Sequence, residues 1–196
     1  IDELSGYSDD DIRDAFIRMN KYVVKLSPQE LRHAKNEGAF YDFVGSLGRL
    51  DFWKTQKVFS PLQLKRMRAD EFSAELTILL IEGPQDKKSA IDLYYGMYKD
   101  KFDAGKTVKA KLHAYLHWIL KALPDFSSRF LRKPVDLYAL IGALDFATNG
   151  GKKFSKLQPQ IFAAIINTLE KELEAEKPSD AAAKYIVAAS RQTANI

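Results

Sequence analysis

Cysteine is absent from the 196 residues. That excludes disulfides, thiolate-ligated zinc and thiol nucleophiles together, and it fits a chain that works in a reducing cytoplasm. Long apolar runs are missing as well. The longest, Thr77 to Ile81 with its flanks, stops at Glu82-Gly83-Pro84, short of the roughly 18–20 residues a membrane span needs. No membrane is therefore expected among the partners. Strand-like alternation is nearly absent, and neither an internal repeat nor a low-complexity tract occurs. No signal peptide is expected from the opening Ile1-Asp2-Glu3-Leu4, which has no methionine and no basic stretch. We expect it to be a piece of a longer protein, whose preceding part carries chemistry.

What is present is the composition of a globular chain, 46% hydrophobic and 29% charged, which argues against wholesale disorder. Thirty Lys and Arg against 26 Asp and Glu leave a formal charge of +4. Such a balance permits nucleic-acid contact without demanding it.

Helix signals run the length of the chain. Ser8 before Asp9, Asp10 and Asp11 is an N-cap with acids on the positive end of the helix dipole. Ile12, Ala15, Phe16 and Met19 then make an apolar stripe at helical spacing, and Asn20 is placed to close the helix before an extended link, Tyr22 to Leu26. Ser27-Pro28-Gln29-Glu30 is the clearest local signal: Ser27 caps, Pro28 takes the first helical position and Glu30 completes a capping box. Gly38 ends or bends that helix, and Phe40 to Leu47 forms another. Ser60-Pro61 opens a long helix to about Glu82, stopped by Gly83-Pro84. Further helices are predicted over Lys87 to about Lys101, Thr107 to Leu123, and from Pro134 to Asn149-Gly150-Gly151. One more starts at Ser155 with Phe162, Ile165, Ile166, Leu169 and Leu173 on its buried face, and Pro178-Ser179-Asp180 caps a last, alanine-rich one. The expected fold is all-α, an irregular bundle of about eight helices, mostly antiparallel to their neighbours because the connections are short. We expect one helical domain over residues 1–196, with candidate subdomain breaks near 83–86 and 124–134.

The stretch Ala15-Phe16-Ile17-Arg18-Met19-Asn20, followed by Val23-Val24-Lys25-Leu26-Ser27-Pro28-Gln29-Glu30-Leu31-Arg32-His33-Ala34, resembles a family pattern. It is similar to the F-x-x-x-N … L-S-x-x-E-L-R-x-A segment of the GmrSD/SspE-type, ParB-like family of bacterial restriction and phage-defence proteins. The match is tight over about twenty residues and loose over the first hundred. In that family the segment follows an α/β domain with a DGQQR-type motif, tied to nucleotide hydrolysis and DNA restriction, and many relatives carry a downstream HNH nuclease. Neither motif occurs here. The resemblance thus implies the helical half of a restriction protein whose catalytic half lies elsewhere, with a parent that is a nucleotide-dependent endonuclease. The positions matching the pattern are Phe16, Asn20, Leu26, Ser27, Glu30 and Arg32. Read from the residues alone they are structural: Asn20 ends a helix, Glu30 bonds back to an N-cap amide, and Arg32 pairs with an acid of the first helix. The alternative is an edge of a site that the missing domain completes.

Other candidate chemistry is thin. Gly105-Lys106-Thr107 imitates the end of a phosphate loop, but Asp100 stands where a glycine is needed and helix precedes it instead of strand. His113 and His117 have a metal-compatible spacing, yet Ala114 replaces the glutamate of a metalloprotease motif and no third ligand is suggested. No metal, no cofactor and no catalytic residue are assigned. Phe52-Trp53-Lys54 with Lys57 mixes aromatics and cations as single-strand binders do, although such aromatics more often fill a core. The same helix that holds the histidines offers more. Leu112, Tyr115, Leu116, Ile119 and Leu123 form its apolar stripe, while Lys109, His113, His117 and Lys121 fall in a row on another face, extended by Lys106. A basic row suits phosphate contact through counterion release, and a merely solvated face is the plainer reading. Arg129, Arg132 and Lys133, Lys152 and Lys153, and the trio Lys65, Arg66 and Arg68 are further basic clusters.

Two functions follow as expectations. One is a non-catalytic helical module that contacts DNA or regulates a modular restriction protein. The other is a structural scaffold that self-associates or packs on a separate catalytic domain or partner subunit.

Overall fold

The computed structural model describes residues 8–23, 26–85, 89–124, 131–148 and 158–193, with side chains for all of these but 19–23, 89 and 190–193. Eleven helices and no strand occur among the described residues. They are α1 (Asp9–Val23), α2 (Pro28–Lys35), α3 (Ala39–Gly48), α4 (Asp51–Thr55), α5 (Pro61–Lys65) and α6 (Arg68–Glu82). After these come α7 (Ser89–Met97), α8 (Gly105–Ala122), α9 (Pro134–Ala147), α10 (Pro159–Glu174) and α11 (Asp180–Thr193).

Local chemistry sets most of the boundaries. Ser8 Oγ accepts from the Asp11 N–H at 3.2 Å. Ser27 heads α2 in a complete capping box: its hydroxyl accepts from the Glu30 N–H at 3.2 Å, and Glu30 Oε2 accepts from the Ser27 N–H at 2.7 Å. Ser60 and Gln63 repeat the device at α5. Pro134 sits in the first turn of α9, where its missing N–H costs nothing. Gly38 enters α3 at φ 112°, and a Cβ there would run into the Lys99 carbonyl, which accepts the Ala39 N–H at 2.7 Å. Gly83, at φ 84°, ends α6.

Three expectations change. The count rises from about eight to eleven because α4 lies in a stretch where no helix was expected, and because the long helix from Ser60 is two. Met67 breaks it, standing left-handed at φ 55° and ψ 27°, after which Asp70 and Glu71 supply the acids of a new first turn. Asn20 does not close α1. The helix runs on to Val23, so Tyr22 and Val23 of the expected extended link are helical and the left-handed reading of Asn20 fails. Finally, α10 turns its face: Ile166 is buried and Phe162, Leu169 and Leu173 pack on the core, but Ile165 is 58% exposed. The predicted start at Ser155 lies outside the described residues; within them α10 covers Pro159–Glu174.

The larger apolar cluster runs from Leu47 and Trp53 through Leu76 and Leu79 to Leu112, Ile119, Leu137, Ile141 and Ile166. It crosses both candidate subdomain breaks, since Leu79 and Leu80 lie before Gly83 and Leu137 and Ile141 lie after Pro134. A smaller cluster joins α3, α6 and α7 around Phe40, Ile78, Ile91, Tyr94 and Tyr95. Trp53 anchors the first. Fully buried, it donates its indole N–H to the Leu47 carbonyl at 2.7 Å and meets Phe72 edge-on at 5.6 Å between centroids. Residue for residue such packing is worth about 1.5–3 kcal/mol. Among the described residues no helix is long and apolar enough to cross a membrane.

Candidate functional site

The α8 helix divides cleanly. Leu112, Tyr115, Leu116, Ile119 and Leu123 are buried, with Val108 and Trp118 beside them. Lys106, Lys109, His113, His117 and Lys121 are all exposed. Helical geometry spaces the last four about 6 Å apart along the axis, with a drift of about 40° per step, so the row winds over roughly 18 Å. Between them the exposed positions are Thr107, Ala110 and Ala114, too small to keep a phosphate away. No Asp or Glu occurs anywhere in the eighteen residues of α8. Among the described residues none of Lys106, Lys109 and Lys121 pairs with a carboxylate. Only Lys111, on the flank, is engaged: it pairs with Asp145 at 3.2 Å and reaches the Leu80 carbonyl at 3.5 Å. The row is a cationic surface that can meet phosphates as separate point charges.

The other basic positions do not all join it. Lys133 is exposed just ahead of α9. Arg132 is half-buried, and its Nε has no hydrogen-bond partner among the described residues. Arg129, Lys152 and Lys153 lie outside the described residues. Of the trio near α5, Lys65 is exposed, but Arg66 pairs with Glu30 at 2.8 Å and Arg68 with Glu71 at 2.6 Å. The mixture of aromatics and cations at Phe52-Trp53-Lys54 is a core feature, because the Trp53 ring is sealed from solvent and unable to stack on a base. At Gly105-Lys106-Thr107 a helix simply begins. His113 and His117 face solvent, and among the described residues no three His, Asp or Glu side chains converge as a metal site.

The segment that resembles the restriction family forms a second cluster, and its members are chiefly ties between helices. Phe16 is 52% exposed on α1, Leu26 is half-buried before α2, and the Asn20 side chain lies outside those described. Burial raises the pKa of Glu30, yet the Arg66 and Ser27 hydrogen bonds outweigh it and hold the carboxyl below its ordinary value. Arg32 finds no acid of α1. It is buried against α6 and α7 instead: Nε donates to Asp92 Oδ1 at 2.7 Å, Nη2 faces Asp92 Oδ2 at 3.4 Å, and Nη1 lies 3.6 Å from Glu71 Oε1. The partners come from α6 and α7 because those elements close over α2, a tertiary fact that no local spacing encodes. Gln29, also buried, donates to the Tyr95 hydroxyl at 3.0 Å.

Beside this network the Tyr41 hydroxyl lies 2.6 Å from His33 Nδ1. Burial raises the pKa of Asp70 nearby, against the His33 and Arg49 charges, and Gly48 leaves the room its carboxylate occupies. No hydrogen bond links Asp70 to His33 among the described residues, so base and orienter are not joined in the chain that nucleophilic catalysis needs. Sequence reasoning missed this cluster because it is assembled from distant helices. No family model, curated protein or solved structure matches the chain.

Proposed function

We propose that the chain is a non-catalytic helical module that holds nucleic-acid phosphates on α8, within a modular bacterial restriction or phage-defence protein of the cytoplasm. The observation that carries the reading is the solvent face of α8, five exposed basic side chains with small residues between them and no acid on the helix. Four lysines in a helix of eighteen residues match in size the whole formal charge of the chain, +4. Binding through point charges would be sequence-tolerant, fixing position without reading bases. The defence setting rests on the family-like segment from Phe16 to Ala34 and would place catalysis in a separate domain or subunit. Short connections support antiparallel neighbours as the arrangement that presents α8 on one side.

The test is duplex DNA binding at low salt by the parent and by a variant carrying both Lys109→Glu and Lys121→Glu. Loss of binding in the variant, with its melting temperature retained, supports the reading. Equal binding by both proteins refutes it.

A scaffold that self-associates is the second reading, and one observation favours it. Ile161 and Ile165 stand 55% and 58% exposed one turn apart on α10, the helix packed against α8. A dimer in sedimentation that Ile161→Asp with Ile165→Asp dissolves, from a protein that ignores DNA, would select it.

A further inference from the structure

Between the end of α6, the outer side of α9 and α11 the chain encloses an open-mouthed cavity of about 520 Å³. Small residues make the space: Ala139, Gly142 and Ala143 on α9 face Ala188 and Ala189 on α11. Its size falls within the range of roughly 300–1,000 Å³ that small-molecule sites occupy, and its wall is mostly apolar, as theirs are. Phe146 stands at the rim, 90% exposed.

The polar groups in the wall are few. The Tyr185 hydroxyl is committed to Asp136 at 2.6 Å, and the Tyr138 hydroxyl accepts from the Gln85 N–H at 3.4 Å. Asp145 is the one carboxylate in the lining. Its Oδ1 takes the Tyr115 hydroxyl at 2.6 Å and the Lys111 ammonium at 3.2 Å, while its Oδ2 is bonded to no described residue. Burial and the Asp145 carboxylate together push the Tyr115 hydroxyl up to about 12, which keeps its proton on and keeps it a donor. Asp145 is thereby fixed in place with one oxygen left to accept.

We propose that this cavity binds a small amine with an apolar, ring-sized body, the ammonium donating to Asp145 Oδ2 and the body lying along Ala139, Gly142 and Ala188. An anion of the same shape is refused, because it would meet Asp145 with no proton to give. The site stands apart from the α8 row, since none of the exposed lysines or histidines lines it.

The experiment is an NMR titration of the full chain with phenethylamine and, separately, with hydrocinnamate, which carries a carboxylate in place of the ammonium. Phenethylamine is expected to shift the amides of Ala139, Gly142 and Ala188 at millimolar concentration and to bind at least about tenfold more tightly than hydrocinnamate, the worth of one charge-assisted hydrogen bond. Asp145→Asn should abolish that preference. Ala188→Phe, at an exposed position that leaves the core alone, should fill the space and abolish binding with the melting temperature unchanged. Equal binding of the two probes, no shift at millimolar phenethylamine, or unaltered binding by Ala188→Phe overturns the proposal.

Discussion

Arg32 and Asp92 meet as a two-pronged fork, Nε to Oδ1 at 2.7 Å and Nη2 to Oδ2 at 3.4 Å, across sixty positions of sequence. The two ends are unlike. Arg32 is buried and Asp92 is 64% exposed, while Glu71 on the other side of the guanidinium is sealed from solvent. Removing the arginine therefore takes a cation from 3.6 Å beside a buried carboxylate, whose other oxygen Arg68 meets at 2.6 Å. Arg32→Met should cost about 3 kcal/mol in urea unfolding, as buried pairs broken on one side do. Asp92→Asn should cost less than about 1 kcal/mol, because its water-facing side is largely hydrated already. Equal losses from the two substitutions would contradict this geometry.

The Ser27 hydroxyl accepts the Glu30 N–H at 3.2 Å, and no other described residue serves that amide. Ser27→Ala should lower stability by about 1 kcal/mol, the usual size of a lost cap. A melting temperature unchanged by the substitution would mean that the hydroxyl contributes nothing there.

Glu30 gives that region a pH signature. Its folded-state pKa lies below the ordinary glutamate value, so its contribution is fully present at neutral pH and is lost as pH falls through the ordinary value and then the lowered one. The stability difference between the parent and Glu30→Gln should accordingly be largest near neutrality and shrink in acid. A difference independent of pH would assign the effect to packing instead.

Asp136 behaves oppositely. Burial raises its pKa, with the Tyr185 hydrogen bond and the Lys133 charge pulling the other way. A raised carboxyl binds its proton more readily folded than unfolded, so the cost of burying the charge is full above the raised value and vanishes below the ordinary one. Asp136→Asn still accepts the Tyr185 hydroxyl and should be as stable as the parent or more so at neutral pH, an advantage that fades in acid. Tyr185→Phe removes the bond and should cost about 1 kcal/mol. Unfolding curves at neutral and acid pH decide both.

How much of this could be read in advance follows from how far apart the partners lie. The capping boxes at Ser27 and Ser60, the proline start of α9 and the glycine stop at Gly83 are contacts within a few residues, and the sequence displays them whole. The division of α8 into apolar and basic sides is likewise a periodicity of one helix. Met67 could not be foreseen, because a left-handed turn is not what a methionine's own propensity favours. The partners of Arg32, the outward turn of Ile165 and the cavity around Asp145 depend on which helix lies against which. Of the basic cluster near α5, Arg66 and Arg68 are absorbed into ion pairs for the same reason.

The most direct test of α8 as a phosphate surface is the slope of log binding constant against log salt for a short DNA duplex. Each phosphate neutralised contributes a slope of about −0.9, so changing both Lys109 and Lys121 to Gln should make the slope shallower by about 1.8 and weaken binding equally across sequences. A parent that fails to bind even at low salt, or a double variant with the parent's slope, would contradict the account and leave α8 a solvated face.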